Sequence, residues 1–272
     1  MNEQTLRFGD PPAAMAPGFC VSSLQWSVGG FLVTFELIKD IVKLALIAAC
    51  LYFALGAYVS RKQPAWSGFL DKRRFGVLLL LILAVIAIKV IEDVVSGESG
   101  PVDALILQFI HTNAPAALTG FFEAATFTGS TYVLFPLSFA IVVTLLFAKR
   151  RFEALLLAVS VISGGIVVYI LKALVGRIRP ALWETEWYWG SSFPSGHTLV
   201  VAAFASAATI GVTRIWPRRR ILAMLIASVW VFSVAVSRLV LGVHWPTDVL
   251  AAACIGAFLP LAIGIALELR RA

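Results

Sequence analysis

Long apolar runs dominate the chain. At roughly 76–96, 131–148, 153–175, 197–213, 221–241 and 247–268 they approach or exceed the ~20 residues that an α-helix needs to cross a bilayer. A seventh run, at roughly 34–59, carries Glu36, Lys39, Asp40 and Lys43 before a cleaner stretch from Leu44 to Val59. It reads as a long tilted span, the alternative being a helix that lies in the interface and then turns inward. Segment 1–33 is polar to mixed, with Pro11, Pro12, Pro17 and Gly18. It lacks the basic start and early apolar core of a cleaved signal peptide, and reads as a loose tail with an interfacial stretch around Leu24 to Phe31. The pattern predicts an all-α, polytopic membrane helix bundle.

Composition agrees. The chain has 272 residues, 60% of them apolar and only 14% Asp, Glu, Lys or Arg. Soluble domains carry about 25% charged residues, so this chain cannot clothe a globule in charge. It is also far too apolar for disorder. The net charge of +7 does not point to nucleic acid, because the basic residues sit in short clusters between apolar runs. Cys20, Cys50 and Cys254 have neither metal nor disulfide spacing.

The clusters set an orientation. Arg61, Lys62, Lys72, Arg73 and Arg74 lie between the first two spans, and Lys149, Arg150 and Arg151 between the third and fourth. Arg214, Arg218, Arg219 and Arg220 lie between the fifth and sixth, and Arg270 and Arg271 end the chain. These fourteen of the 22 basic residues fall on one side, which the positive-inside rule makes cytoplasmic. Loops 97–130, 176–196 and 242–246 then face outward. In the first, a Gly-Glu-Ser-Gly-Pro turn signal precedes an apolar stretch from Val102 to Ile110, and Ala114 to Ala125 forms a second short helix candidate. Both are expected on the outer surface of the bilayer.

Three outward segments carry the chemistry. Lys172 and Arg179 are seven residues apart, within roughly 20° of one another on a continuous helix, with Pro180 marking the exit. Two aligned cations on the side that otherwise lacks them are more than snorkelling residues. Pro194-Ser195-Gly196-His197 precedes an apolar run, and a Ser-Gly pair entering a helix offers a hydroxyl and free N–H groups to an anion. In Ser237-Arg238-x5-His244-x3-Asp248 the His and Asp stand one turn apart at a helix start. There the Asp can accept the imidazole N–H or merely cap the helix. Together these segments place three cations, two of the chain's three histidines, a Ser-Gly turn and an Asp on one membrane face. That set describes a phosphate site, with two histidines suited to a double displacement. No acidic cluster or Cys/His array offers metal ligands, so no metal or cofactor is expected.

Lys172-x6-Arg179-Pro180, Pro194-Ser195-Gly196-His197 and Ser237-Arg238-x5-His244-x3-Asp248 resemble the three signature motifs of the type 2 phosphatidic acid phosphatase superfamily, in order and without substitution. The resemblance implies a six-span phosphatase core over 76–272; the tail (1–33) and the extra span with its cytoplasmic loop (34–75) are additional to that core, and the resemblance implies nothing for them. It implies His244 as the nucleophile that forms a phosphohistidine, with Asp248 behind it, and His197 as the acid for the leaving group. Lys172, Arg179, Ser195, Gly196 and Arg238 match the phosphate binders. The implied substrate is a lipid phosphomonoester or diphosphate of the undecaprenyl diphosphate, phosphatidylglycerophosphate or phosphatidic acid type. The site would face outward from a bacterial plasma membrane. A lipid phosphotransferase using the same intermediate is the alternative. A transporter is disfavoured because the ionisable residues cluster at one end of the spans instead of lining a path at mid-depth.

Four further features stand outside the motifs. Lys89, Glu92 and Asp93 form a local ion-pair set, with a supporting role near the phosphate site as the second reading. Arg177 lies off the Lys172/Arg179 face and is a candidate head-group contact. His111 reads as interfacial. Trp183, Trp187, Tyr188 and Trp189 read as an aromatic belt or as the flank of the lipid's entry, with Glu184 and Glu186 tempering the local field.

Overall fold

A computed structural model describes residues 23–62, 66–181 and 190–270. The tail before Ser23 and the cluster from Trp183 to Trp189 lie outside the described residues. The chain divides into two units, Met1–Lys43 and Leu44–Ala272. The described part of the first is helical. The second is a helix bundle, with no strand among its described residues.

In chain order the helices are α1 (Ser23–Lys62), α2 (Ser67–Ser96), α3 (Gly100–Asn113), α4 (Thr119–Thr128), α5 (Thr131–Phe147), α6 (Arg151–Val175), α7 (Gly196–Ile215), α8 (Arg220–Val240) and α9 (Pro246–Leu269). Among the described residues six stretches are long and apolar enough to cross a membrane: Lys39–Lys62, Asp71–Ser96, Arg151–Val175, Gly196–Ile215, Pro217–Val240 and Pro246–Leu269. The pair α4 and α5, bent by 43° at the break between them, makes a seventh when taken as one span. This is an integral membrane protein, and the six stretches fall where apolar runs place them, whereas the run expected at 131–148 forms the 17-residue α5 and reaches spanning length only together with α4, expected from the sequence as a separate surface helix.

Two boundaries move. The helix expected from residue 34 begins at Ser23. The one expected from 76 begins at Ser67, so Lys72, Arg73 and Arg74 ride on its first turns and not in a loop. Apolar periodicity marks only the stretch that lipid must cover. Lys and Arg are good helix formers, and their long stems let the heads reach water from a helix end.

α7 is the central helix. It packs on α6, α8 and α9, while α2 lies along α9. One buried cluster joins α5 to α8 through Leu134, Phe152, Leu156, Val201, Phe204 and Val234. A second, of Val90, Val94, Phe193 and Ala251, joins α2, the segment before α7 and α9. The outward faces are apolar too: Phe139, Tyr169 and Phe232 are 66%, 76% and 69% exposed. Lipid is the solvent that makes such a surface tolerable.

Helices in lipid gain little from a hydrophobic effect between them and rely on close contact through small residues. Here Gly256 of α9 lies directly against α7. A Cβ at this position would stand 2.4 Å from the Leu199 carbonyl oxygen and 2.7 Å from the Ala202 Cβ. At the end of the bundle where α2 and α6 start and α7 and α9 finish, charges pair across helices. Arg73 meets Glu268 at 2.8 Å, and Arg214 reaches both Glu268 and Glu153 while stacking 4.0 Å from the Phe152 ring centroid.

Gly256→Ala should therefore destabilise the bundle by about 1–3 kcal/mol, the usual cost of overpacking. Gly165→Ala, with nothing within 4 Å of the added methyl group, should be neutral or slightly stabilising. Thermal unfolding of the two variants in one detergent checks this, with a lowered Tm expected for Gly256→Ala alone.

Candidate active site

The site forms at the opposite end, where α6 and α8 finish and α7 and α9 begin. α6 stops at Val175. Gly176 caps it at φ 63°, a left-handed conformation that glycine adopts without a Cβ penalty, and donates its N–H to the Lys172 carbonyl. Lys172 and Arg179 therefore do not share a helical face, contrary to their spacing. They meet by converging on the same piece of backbone. Lys172 Nζ donates to the Ser191 carbonyl. Arg179 donates from Nε to the Gly190 carbonyl at 3.2 Å and from Nη2 toward that of Ser191 at 3.5 Å. Its Nη1 reaches the Val243 carbonyl at 2.8 Å, next to His244.

A cis Phe193–Pro194 bond leads into Ser195, the N-cap of α7. The Ser195 hydroxyl does not cap the helix backbone but shares a hydrogen bond of 3.0 Å with the Thr198 hydroxyl. Its N–H donates to the Asp248 carbonyl at 3.2 Å, which ties the start of α7 to the start of α9. Gly196 and His197 form the first turn of α7, where the N–H groups lack partners within the helix and the dipole favours an anion. His197 lies within electrostatic reach of Arg238, His244, Lys172 and Arg179.

Arg238 closes the set from the last turn of α8. It is 1% exposed, and its Nη1 donates to the Thr126 hydroxyl of α4 at 2.5 Å. The following loop turns back through a Val243 N–H bond to the Arg238 carbonyl at 3.2 Å and delivers a buried His244. All eight residues singled out from the motifs thus lie at one end of the bundle.

The His244–Asp248 pair is looser than its spacing suggests. Nδ1 stands 3.5 Å from Oδ2, too far for a good N–H···O bond. That oxygen accepts the Trp245 N–H at 2.9 Å, so Asp248 serves as a helix-capping carboxylate as well. Its other oxygen accepts from Arg177 Nη1 at 2.7 Å. Burial pushes the His244 imidazole down to about 4, with the cations of Arg238 and Arg179 adding to the shift and Asp248 opposing it. At neutral pH the ring is uncharged and a nitrogen lone pair is available.

Two important residues escaped the motif reading. Arg177 does not extend outward from the bundle as the head-group reading expects. It lies inside, its side chain 14% exposed, between Asp248 and Asp103. Asp103 of α3 is wholly buried, and so is Leu107. α3 is consequently part of the site's wall and not just a surface helix. A lone carboxylate between Val102 and Leu107 was the available signal, since a charge in an apolar run is a functional suspect. Lys89 keeps to its local set, 2.5 Å from Asp93 and 3.7 Å from Glu92, and His111 is exposed.

Residues 153–268, which contain all three motifs, match the family model described as the PAP2 superfamily. This segment is similar to a PAP2 domain. Phosphatidylglycerophosphatase B of Escherichia coli (strain K12) is 47% identical to the chain over 73 residues, which is 27% of each protein. The match thus spans about a quarter of that relative's length. An undecaprenyl-diphosphatase of Sulfolobus acidocaldarius is 26% identical over 189 residues, 67% of this chain and 86% of that one. The likeness in fold extends beyond the matched segment. A transmembrane PAP2 type phosphatidylglycerolphosphate phosphatase from Bacillus subtilis superposes with a TM-score of 0.62 at 23% identity, over 72% of this chain and 96% of that one.

The depressed His244 pKa links folding to pH. The unfolded chain binds that proton near 6.5 and the folded chain only near 4. Between these values the unfolded state holds more protons, so this contribution makes stability rise with pH. Thermal unfolding between pH 4 and 7 should show a falling Tm toward acid, with a shallower fall in His244→Gln.

Proposed function

We propose that the protein is a lipid phosphatase that works through a phosphohistidine. The observation that carries this reading is the convergence of Lys172, Arg179, Arg238 and the α7 N-terminus around a buried, neutral His244. Three cations and a ring of N–H donors suit a phosphoryl group and the charge it gathers during transfer. His244 attacks phosphorus through its Nε2 lone pair as the bond to the lipid oxygen breaks, and His197 gives that oxygen a proton. Asp248 stabilises the positive charge that His244 acquires. Water then attacks the phosphohistidine, His197 takes its proton, and inorganic phosphate leaves.

The family and the names of the relatives support a lipid phosphomonoester or diphosphate as substrate. The donor set supports chemistry without a metal: among the described residues no three His, Cys, Asp or Glu side chains are grouped to hold one. Cations then fill the role that a divalent ion plays elsewhere. The fourteen basic residues at the other side of the spans support an outward-facing site in a bacterial plasma membrane.

Phosphate release from phosphatidic acid, phosphatidylglycerophosphate and undecaprenyl diphosphate in detergent micelles, before and after exhaustive EDTA treatment, tests the activity. Equal rates are expected, and loss restored by Mg²⁺ would refute metal independence. With ³²P-labelled substrate, His197→Ala should retain acid-labile label on His244 and His244→Ala should carry none. His197→Ala should lose roughly 10²–10⁴-fold on lipid substrates and much less with p-nitrophenyl phosphate, whose leaving group needs no proton. The reverse labelling pattern would exchange the two roles.

Sidedness has its own test. Glu98 is exposed in the turn between α2 and α3. In a cysteine-free background Glu98→Cys should react with an impermeant thiol reagent on intact cells, and labelling only after lysis would invert the topology.

A further inference from the structure

Arg177, Asp103 and Asp248 form a buried chain of alternating charge behind His244. Arg177 Nη1 donates to Asp248 Oδ1 at 2.7 Å and to the Thr247 hydroxyl at 2.8 Å. Its Nη2 donates to Asp103 Oδ2 at 2.6 Å and to the Ser99 hydroxyl at 3.2 Å. Asp103 also accepts the Thr247 N–H at 2.9 Å and the Thr247 hydroxyl at 2.6 Å. The guanidinium carbon lies 5.5 Å from the Trp245 ring centroid. Both ends of the guanidinium fork are therefore committed to carboxylates and hydroxyls, a poor arrangement for holding phosphate.

We propose that Arg177 is a positioning residue that holds the Asp248 carboxylate against His244, and that Asp103 both fixes Arg177 to α3 and balances its charge. The proposal rests on the phosphohistidine reading above. The physical need is plain. Asp248 stands 3.5 Å from the imidazole and bonds the Trp245 N–H, so that oxygen alone leaves its orientation loose. A bond from Arg177 to the other oxygen fixes the carboxylate plane. An uncompensated guanidinium there would drain the negative charge that must stabilise phosphorylated His244. Asp103 restores it, so the triad presents a net negative charge to the ring. Around His244, Asp248 comes from α9, Arg238 from α8, Arg179 from the α6–α7 connection and His197 from α7, with Arg177 and Asp103 behind Asp248. Burying three charges carries a desolvation penalty, and removing one partner leaves another uncompensated.

The charge balance gives a signature that loss of structure does not. The full-length protein in detergent micelles would be assayed on phosphatidic acid from pH 4 to 9. Arg177→Met should lower kcat about 10- to 100-fold with KM little changed, the scale expected when a reacting group is misplaced. It should also move the acid limb of kcat/KM to higher pH, since a cation has gone. Asp103→Asn should move the same limb to lower pH, because the guanidinium is no longer balanced. Arg177→Lys should keep the wild-type limb at reduced kcat. Limbs that coincide with wild type in Arg177→Met and Asp103→Asn would overturn the proposal, as would a raised KM at unchanged kcat in Arg177→Met. Should Arg177→Met fail to fold, Asp103→Asn against Arg177→Lys decides, since only the former should move the limb. His244→Ala runs alongside: if it still forms phosphoenzyme the assignment of His244 as nucleophile fails, whereas unmoved limbs with His244→Ala inactive sink the positioning role alone.

Discussion

The approach of α9 to α7 is the constraint from which the site follows. Gly256 permits it, because any side chain there would collide with the Leu199 carbonyl. With the axes this close, the starts of the two helices meet, and the Ser195 N–H reaches the Asp248 carbonyl. The first turn of α7 and the His244 loop ahead of α9 are thereby fixed to one another by main chain. Lys172, Arg179 and Arg238 are then brought in from α6, the connection after it and α8.

Lipid explains why, among the described residues, the ion pairs between helices gather at the two ends of the bundle. In a hydrocarbon environment each unpaired charge is costly, and these pairs lie where helices start or finish. At one end Arg73, Arg214, Glu153 and Glu268 pair across four helices. At the other, cations and carboxylates are interleaved around two histidines. The segment between is a bundle of apolar and small residues whose outward face is as greasy as its core. α3 and α4 belong to the second end through Asp103 and Thr126, although neither helix carries a motif residue.

Much of this was legible beforehand. Apolar run length is a direct consequence of bilayer thickness, so the spans could be placed to within a few residues, apart from the polar starts of α1 and α2. The three motifs could be read because each is local. What could not be read depends on where the chain leaves a helix and on contacts distant in sequence. Helical spacing joins Lys172 to Arg179 only if the helix continues, and Gly176 ends it. The partners of Arg177 are Asp103 and Asp248, 74 and 71 residues away, and no periodicity reports such a pairing. The spacing puts Asp248 near His244, where the structure has it at 3.5 Å, but its division between cap, guanidinium and imidazole is a matter of fractions of an ångström.

The hydrogen bond between Ser195 and Asp248 separates two kinds of freedom. It joins peptide groups, so the span between the two histidine-bearing segments is held by atoms that every amino acid but proline can supply. Changes of side chain around the rim can alter what the mouth of the site admits without retuning the distance between the segments that carry His197 and His244. The two-histidine end is in this sense a fixed cartridge, and the surrounding connections are the replaceable mount.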